Sequence, residues 1–184
     1  MRPDGQAKGK KLHTRRIETS TYECADGKMI VEGTLSDERF QTSYTVTGEI
    51  FPEGAIHHMA VTLLVDSTNL LIEDVNVKLI ATPREACRET IDCLAKIKGL
   101  TITGGFTRKV KNIAGGKKGC AHLVELLQAM APAAFQGFAA YRSRDPQGFS
   151  PEGAQAALRL LANTCHVWRE DGPLAEMISR KTAS

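Results

Sequence analysis

Aromatic side chains make up only 5% of this 184-residue chain, with a single tryptophan. Single-stranded nucleic acids are held by base stacking on aromatics interleaved with basic residues, so that class of function has little to build on. No apolar run approaches the roughly 20 residues of a bilayer-spanning helix. The N-terminal MRPDGQAKGKKLHTRR carries charge with no apolar stretch behind it, and so does not read as a secretory signal. Also missing are a phosphate-binding loop, a dinucleotide fingerprint, a nucleophile elbow, a zincin helix and any C-x-x-C pair. Standard ATPase, dehydrogenase and hydrolase readings therefore lack support. Cysteine is sparse and irregular: Cys24, Cys87, Cys93, Cys120 and Cys165 are an odd number at uneven spacing. Such a set is no disulfide framework, and reduced thiols in a cytoplasmic protein are expected.

What is present is a globular composition, 42% hydrophobic and 24% charged. The length suits one domain, expected over residues 12–184 behind a disordered basic tail at 1–11. The formal charge of +3 is unevenly placed. Residues 1–16 carry +5, residues 96–118 carry +7 with no acidic side chain, and the remainder is −9. A basic surface over the whole domain is thereby excluded.

Two periodicities divide the chain. Residues 15–36 alternate around the Asp26-Gly27 turn signal and predict a hairpin. Phe40 to Ile50 is Thr/Tyr/Val-rich and predicts another strand, ended by Phe51-Pro52-Glu53-Gly54. His58–Asp66 and Leu70–Ile80 flank Ser67-Thr68-Asn69 and predict a second antiparallel hairpin. At Thr82 the period becomes helical. Thr82-Pro83-Arg84-Glu85 has capping-box spacing, predicting a helix to Gly99 with stripes Cys87/Ile91/Leu94/Lys98 and Ala86/Thr90/Cys93/Ile97. A short helix around Phe106–Ile113 should end at Gly115-Gly116. A longer helix follows Cys120, with Pro132 expected to kink it, and another starts at Ser150-Pro151. Asp171-Gly172-Pro173 reads as a turn, with Trp168 packing the C-terminal segment. Strands first and helices after them predict an α+β fold, an N-terminal antiparallel sheet followed by packed helices.

Candidate chemistry lies at the ends of these elements. His57 and His58 are expected to open a strand, Cys87 and Cys120 to open helices, and Cys165-His166 to follow one. Thiolate and imidazole together suit zinc or iron–sulfur chemistry. Cys120 and His122, two apart, diverge by about 200° within a helix, so both reach one ion only if Cys120 stays outside the regular turns. The metal-ligand candidates are therefore His57, Cys87, Cys120, His122, Cys165 and His166, while Cys24 and Cys93 read as packing thiols. The basic run before Cys120 offers Arg108, Lys109, Lys117 and Lys118 to a small anionic ligand or an acidic protein partner, and with the helix start favours Cys120 as thiolate. Arg15 and Arg16 are expected to pair with sheet carboxylates such as Glu32. Metal binding is the leading expectation. The alternative is an enzyme or accessory protein in which Cys120 attacks an anionic or thioester substrate, with His122 or His166 as base. Nucleic-acid binding through residues 1–16 and 96–118 is the weakest of the three.

Two resemblances follow from these residues. Leu12–Ile17 (LHTRRI), Asp26-Gly27 with Val31-Glu32-Gly33, Ile56-His57 with Met59, and Thr82-Pro83 with Cys87 form the first half of one pattern. Gly99-Leu100, Gly105–Arg108 (GFTR), Gly119–Leu123 (GCAHL) with Glu125–Leu127, and Cys165-His166 with Asp171–Pro173 complete it. The whole resembles a bacterial domain-of-unknown-function family, number 2889, which implies no activity. More distantly, residues 56–142 are similar in order to the NifU/IscU-type iron–sulfur scaffolds: a strand pair, a Cys opening a helix, then a Cys opening a long helix. That resemblance implies a NifU/IscU-like core, with Cys87 and Cys120 as the second and third cluster cysteines and His57 in place of the first. Met59 stands where those proteins have an aspartate. The departure implies a zinc or iron site held more permanently, with Cys165 or His166 as a replacement ligand.

Overall fold

The computed structural model describes residues 7–144 and 150–182; the first six residues of the expected disordered tail lie outside them. Strands β1 (His13–Cys24), β2 (Lys28–Arg39), β5 (Gly54–Asp66) and β6 (Ile72–Ala81) form one antiparallel sheet in the order β1-β2-β5-β6. Helices α1 (Phe106–Ala114), α2 (Ala121–Arg142), α3 (Pro151–Leu161) and α4 (Pro173–Thr182) follow. This is the expected α+β arrangement. The described residues contain no helix long and apolar enough to cross a membrane.

The β1–β2 turn works as its sequence predicts. In the three-residue connection Ala25-Asp26-Gly27, Asp26 and Gly27 take left-handed φ of 59° and 68°, a conformation that aspartate tolerates and glycine adopts freely. Register then follows residue by residue from Cys24 opposite Lys28 to His13 opposite Arg39. At the same end, the Ser67 hydroxyl and N–H both donate to the Gly27 carbonyl, at 2.5 and 3.0 Å, tying the β5–β6 turn to the first.

One face of the sheet is dry. Met29, Val31 and Leu35 of β2 and Met59, Val61, Leu63 and Val65 of β5 are buried, whereas Glu32 and Thr34 on the opposite face are exposed. Helix α2 contributes Leu123, Leu126, Leu127, Met130 and Ala134 to this core. It approaches closely because Gly33 has no side chain: a Cβ there would lie 2.5 Å from Met130 Sδ and 3.0 Å from Leu126 Cδ1. Further along the helix, the Thr21 hydroxyl donates to the Ala133 carbonyl at 3.1 Å, and Gly137 lies against the Thr21 side chain.

Four segments differ from expectation. Residues 40–50 do not form one strand, because Gly48 takes φ of 80° and its N–H bonds to the Thr45 carbonyl. The result is a small hairpin of β3 (Ser43–Tyr44) and β4 (Ile50–Phe51), stabilised by the Glu49 N–H donating to the Thr45 hydroxyl. The segment Glu85–Ile97 is a 3-10 helix, starting at Arg84 with no side-chain cap. At three residues per turn, positions i and i+3 stack. Cys87, Thr90, Cys93, Leu94 and Ile97 therefore turn inward while Ile91 is left exposed, which mixes the two expected stripes. Strand β5 begins at Gly54, ahead of the expected start at His58. Finally, Pro173 opens α4 at its first turn, where its missing N–H has no intrahelical partner to lose.

By the density of internal packing the chain divides into two compact units, Met1–Phe138 and Ala139–Ser184. The second is built by α3 and α4, which bury Ala154, Ala175 and Ile178. Its α3 starts as the sequence predicts, the Ser150 hydroxyl accepting the Gly153 N–H at 3.0 Å.

The Gly33 contact generates a test. Gly33→Ala crowds Met130 and should cost about 1–3 kcal/mol in urea unfolding. Met130→Ala should cost less in that background than in the parent, because the two sites share one space. Additive losses would show that Gly33 is not where the helix is held.

Candidate functional site: a buried carboxylate between histidines

The inner-face alternation of β2, buried at Met29, Val31, Gly33 and Leu35, arrives next at Asp37, which is 2% exposed. In the register, Asp37 stands opposite Arg15 of β1 on one side and His57 of β5 on the other. Arg15, Asp37 and His57 thus form one row across three strands. A buried carboxylate is tolerated only when its lone pairs are filled, and this one is well supplied. Arg15 donates Nε–H to Oδ1 and Nη2–H to Oδ2, both at 2.7 Å. An ionised carboxylate only accepts, so His13 Nε2–H donates to Oδ1 at 3.2 Å and His57 Nδ1–H to Oδ2 at 2.9 Å.

Helix α2 closes the site. His122 lies in its first turn, with Nε2 3.9 Å from Asp37 Oδ2 and its ring stacked on His57 at 3.9 Å between centroids, tilted by 34°. One turn on, Glu125 accepts from Arg15 Nη1, so the guanidinium is held between two carboxylates. Cys120 sits just outside the helix, its carbonyl accepting the Val124 N–H at 3.1 Å. Its Sγ lies 3.9 Å from His122 Nδ1.

The electrostatics follow from this packing. Burial pushes the Asp37 carboxyl upward. The Arg15 hydrogen bonds and charge, with His57, outweigh that and hold it at about 2, below the ordinary 3.8. Arg15 is correspondingly held more firmly charged. Burial, then His57, then Arg15, push His122 below its ordinary 6.5, so a neutral imidazole faces the row at pH 7.

Of the residues singled out in the sequence, the structure brings His57 and His122 together and sets Cys120 beside His122. His57 does not open its strand; it is the fourth residue of β5. Cys87 lies on the 3-10 segment, its N–H bonded to the Arg84 carbonyl at 3.1 Å and its carbonyl accepting from Thr90 Oγ1 at 2.7 Å. Cys165 and His166 belong to the second unit, where the His166 carbonyl accepts from Arg169 at 2.8 Å. The basic candidates Arg108, Lys109, Lys117 and Lys118 are exposed. Arg15 pairs with Asp37 instead of Glu32, because the register sets Glu32 opposite Ser20 on the other face. Asp37 is not among the residues that stand out by type, and the signal that marks it is a charged residue continuing a buried period-two face.

Among the described residues, Asp37, His57 and His122 each offer one ligand atom, all within 4.8 Å of one another, and no cysteine joins the group. Such a group could hold a metal ion. With metal–ligand bonds near 2.0–2.1 Å, tetrahedral N/O ligands sit about 3.3 Å apart. The Asp37–His57 and Asp37–His122 separations of 2.9 and 3.9 Å straddle that value.

Asp37 also makes a pH prediction. Its lowered pKa contributes stability that is complete well above the unfolded-state value and lost as pH falls from there toward about 2. The contribution at neutral pH is roughly 2 kcal/mol. In metal-free buffer, urea unfolding of the parent should therefore lose about that much more than Asp37→Asn between pH 7 and roughly pH 2.5. Equal acid losses in the two proteins would refute the assignment.

No curated protein and no solved structure matches the chain. One family matches residues 13–136, a span that holds the whole sheet, the row Arg15-Asp37-His57, Cys120 and the part of α2 that carries His122 and Glu125. On that match the chain belongs to the family described as a protein of unknown function (DUF2889).

Proposed function

We propose that this chain binds one zinc-class divalent ion at Asp37, His57 and His122. The observation that carries the reading is the convergence of three ligand atoms within 4.8 Å on a buried carboxylate. Asp37 has about four lone-pair positions. Arg15 occupies two and His13 a third, which leaves the Oδ2 position now facing His57 and His122. Without an ion that position holds a hydrogen bond. With one, the other tautomer of His57 turns its Nδ1 lone pair toward the same point, and neutral His122 adds a second nitrogen. Nitrogen and oxygen donors suit zinc, whereas an iron–sulfur cluster wants thiolates.

Three protein ligands leave a fourth position for water or substrate, the pattern of catalytic sites. The exposed cations Arg108, Lys109, Lys117 and Lys118 are kept in this reading as the surface for a small anionic ligand or an acidic partner. A second reading rests on a separate observation, the 3.9 Å approach of Cys120 Sγ to His122 Nδ1. It makes Cys120 the nucleophile toward a thioester or anionic substrate, with His122 taking the thiol proton.

The test is zinc stoichiometry. Protein purified without chelator and equilibrated with zinc should retain about one ion per chain, by elemental analysis after desalting. His57→Ala and His122→Ala should each weaken binding by at least tenfold, and Cys87→Ser should leave it unchanged. Retention of no zinc by the folded parent sinks the metal reading, and retention lost equally in Cys87→Ser moves the site elsewhere.

A further inference from the structure

Cys93 and Cys120 come from segments 27 residues apart in sequence, yet the structure brings them side by side. Cys93 lies on the inward face of the 3-10 segment and is half-buried. Its side chain sits directly on Gly119: a Cβ built there would fall 2.7 Å from Cys93 Cβ and 2.8 Å from Cys93 Sγ, too close for any other residue without a shift. The next residue is Cys120, whose backbone favours the Cys93 thiolate while burial opposes it more strongly and pushes the Cys93 thiol up. Adjacent Cα atoms are 3.8 Å apart, so Cys120 is the immediate chain neighbour of the point that the Cys93 thiol overhangs, and pairing requires its side chain to turn from His122 toward Cys93. Neither thiol is locked in the core, as both are partly accessible.

We propose that Cys93 and Cys120 form a reversible redox pair, closed into a disulfide by peroxide, that draws the Cys120 sulfur away from His122. The chemistry balances with hydrogen peroxide as the oxidant. One thiol attacks a peroxide oxygen, the O–O bond breaks, and a sulfenic acid and one water are formed. The second thiol then attacks that sulfur; the S–O bond breaks, the S–S bond forms, and a second water leaves. Two electrons pass from the two sulfurs to peroxide, and a dithiol reductant reverses the reaction. The bond would join a segment packed on the β6 edge to the start of α2, the turn that carries His122. Gly119 is the hinge of the arrangement, since only a residue without a side chain lets Cys93 lie over the chain at that point.

The experiment uses the full chain. Protein treated with a small excess of hydrogen peroxide is alkylated with iodoacetamide, digested without reduction, and mapped by mass spectrometry, with the exposed Cys165 as internal control. The expected result is a crosslinked peptide joining Cys93 to Cys120, lighter by two hydrogens, with Cys24, Cys87 and Cys165 alkylated and with full reversal by dithiothreitol. In Cys93→Ser the crosslink should vanish and Cys120 should proceed instead to sulfenic and sulfinic acid. Full alkylation of both thiols after peroxide, or a crosslink from Cys120 to any other cysteine, overturns the proposal.

Discussion

The buried carboxylate of Asp37 sets the terms for the rest of the first unit. Removing an ionised group from water costs several kcal/mol unless donors fill its lone pairs, and here the donors are Arg15, His13 and His57. None of them is a sequence neighbour of Asp37. All depend on strand register, because a slip of one residue would exchange the inner and outer faces of β2. Asp37 would then point to solvent, and Arg15 would stand opposite a side chain of the wrong face. The Asp26-Gly27 turn fixes that register from the far end of the hairpin. A conformational requirement of two turn residues thereby becomes the condition for an ionic row at the tenth residue of β2.

The helix side obeys a similar logic of close approach. Gly33 and Gly137 are the points where one partner of the α2–sheet contact lacks a side chain, Met130 lying over the first and Thr21 over the second, and the Thr21 hydroxyl takes the Ala133 carbonyl between them. Met130 fills the space over Gly33. With α2 seated there, its first turn falls over the Asp37 end of the sheet, which brings His122 onto His57 and Glu125 onto Arg15. The Arg15–Glu125 pair is only partly buried, and such pairs contribute little by themselves. Its weight lies in geometry: Arg15 bonded to Asp37 from the sheet and to Glu125 from the helix fixes one against the other.

Much of this architecture is legible in the sequence. Asp-Gly between two alternating runs gives the first hairpin, and Ser150-Pro151 gives a helix start, since both are local signals with a single physical meaning. The site is legible only in part. His57, Cys120 and His122 stand out by residue type, but Asp37 lies in a polar-looking stretch, Ser-Asp-Glu-Arg, where nothing local separates a buried aspartate from a solvated one. Counting the period-two face of β2 forward from Met29 would have reached it. The 3-10 segment is hard to read for a different reason. Helical periods of 3.0 and 3.6 differ little over the first two turns, so Cys87 and Thr90 fit either one, and only the burial of Cys93 with exposure of Ile91 separates them. The same ambiguity hides the proximity of Cys93 to the Gly119-Cys120 backbone.

Arg15 also constrains what kind of ion the site suits on the reading proposed above. With the guanidinium bonded to both carboxylate oxygens and His13 on Oδ1, Asp37 can offer an ion only one lone pair, so it binds as a monodentate ligand. Hard cations such as calcium ask for six to eight oxygens and commonly a bidentate carboxylate, a demand this site does not meet. Two imidazoles and one carboxylate oxygen match instead the three-ligand sets that leave zinc a fourth, exchangeable position. The guanidinium adds repulsion toward a dication, and Glu125 answers it by neutralising Arg15 from the other side. The same residue that makes the carboxylate affordable in the core therefore limits it to a single contact with the ion, and leaves the remaining coordination to the histidines.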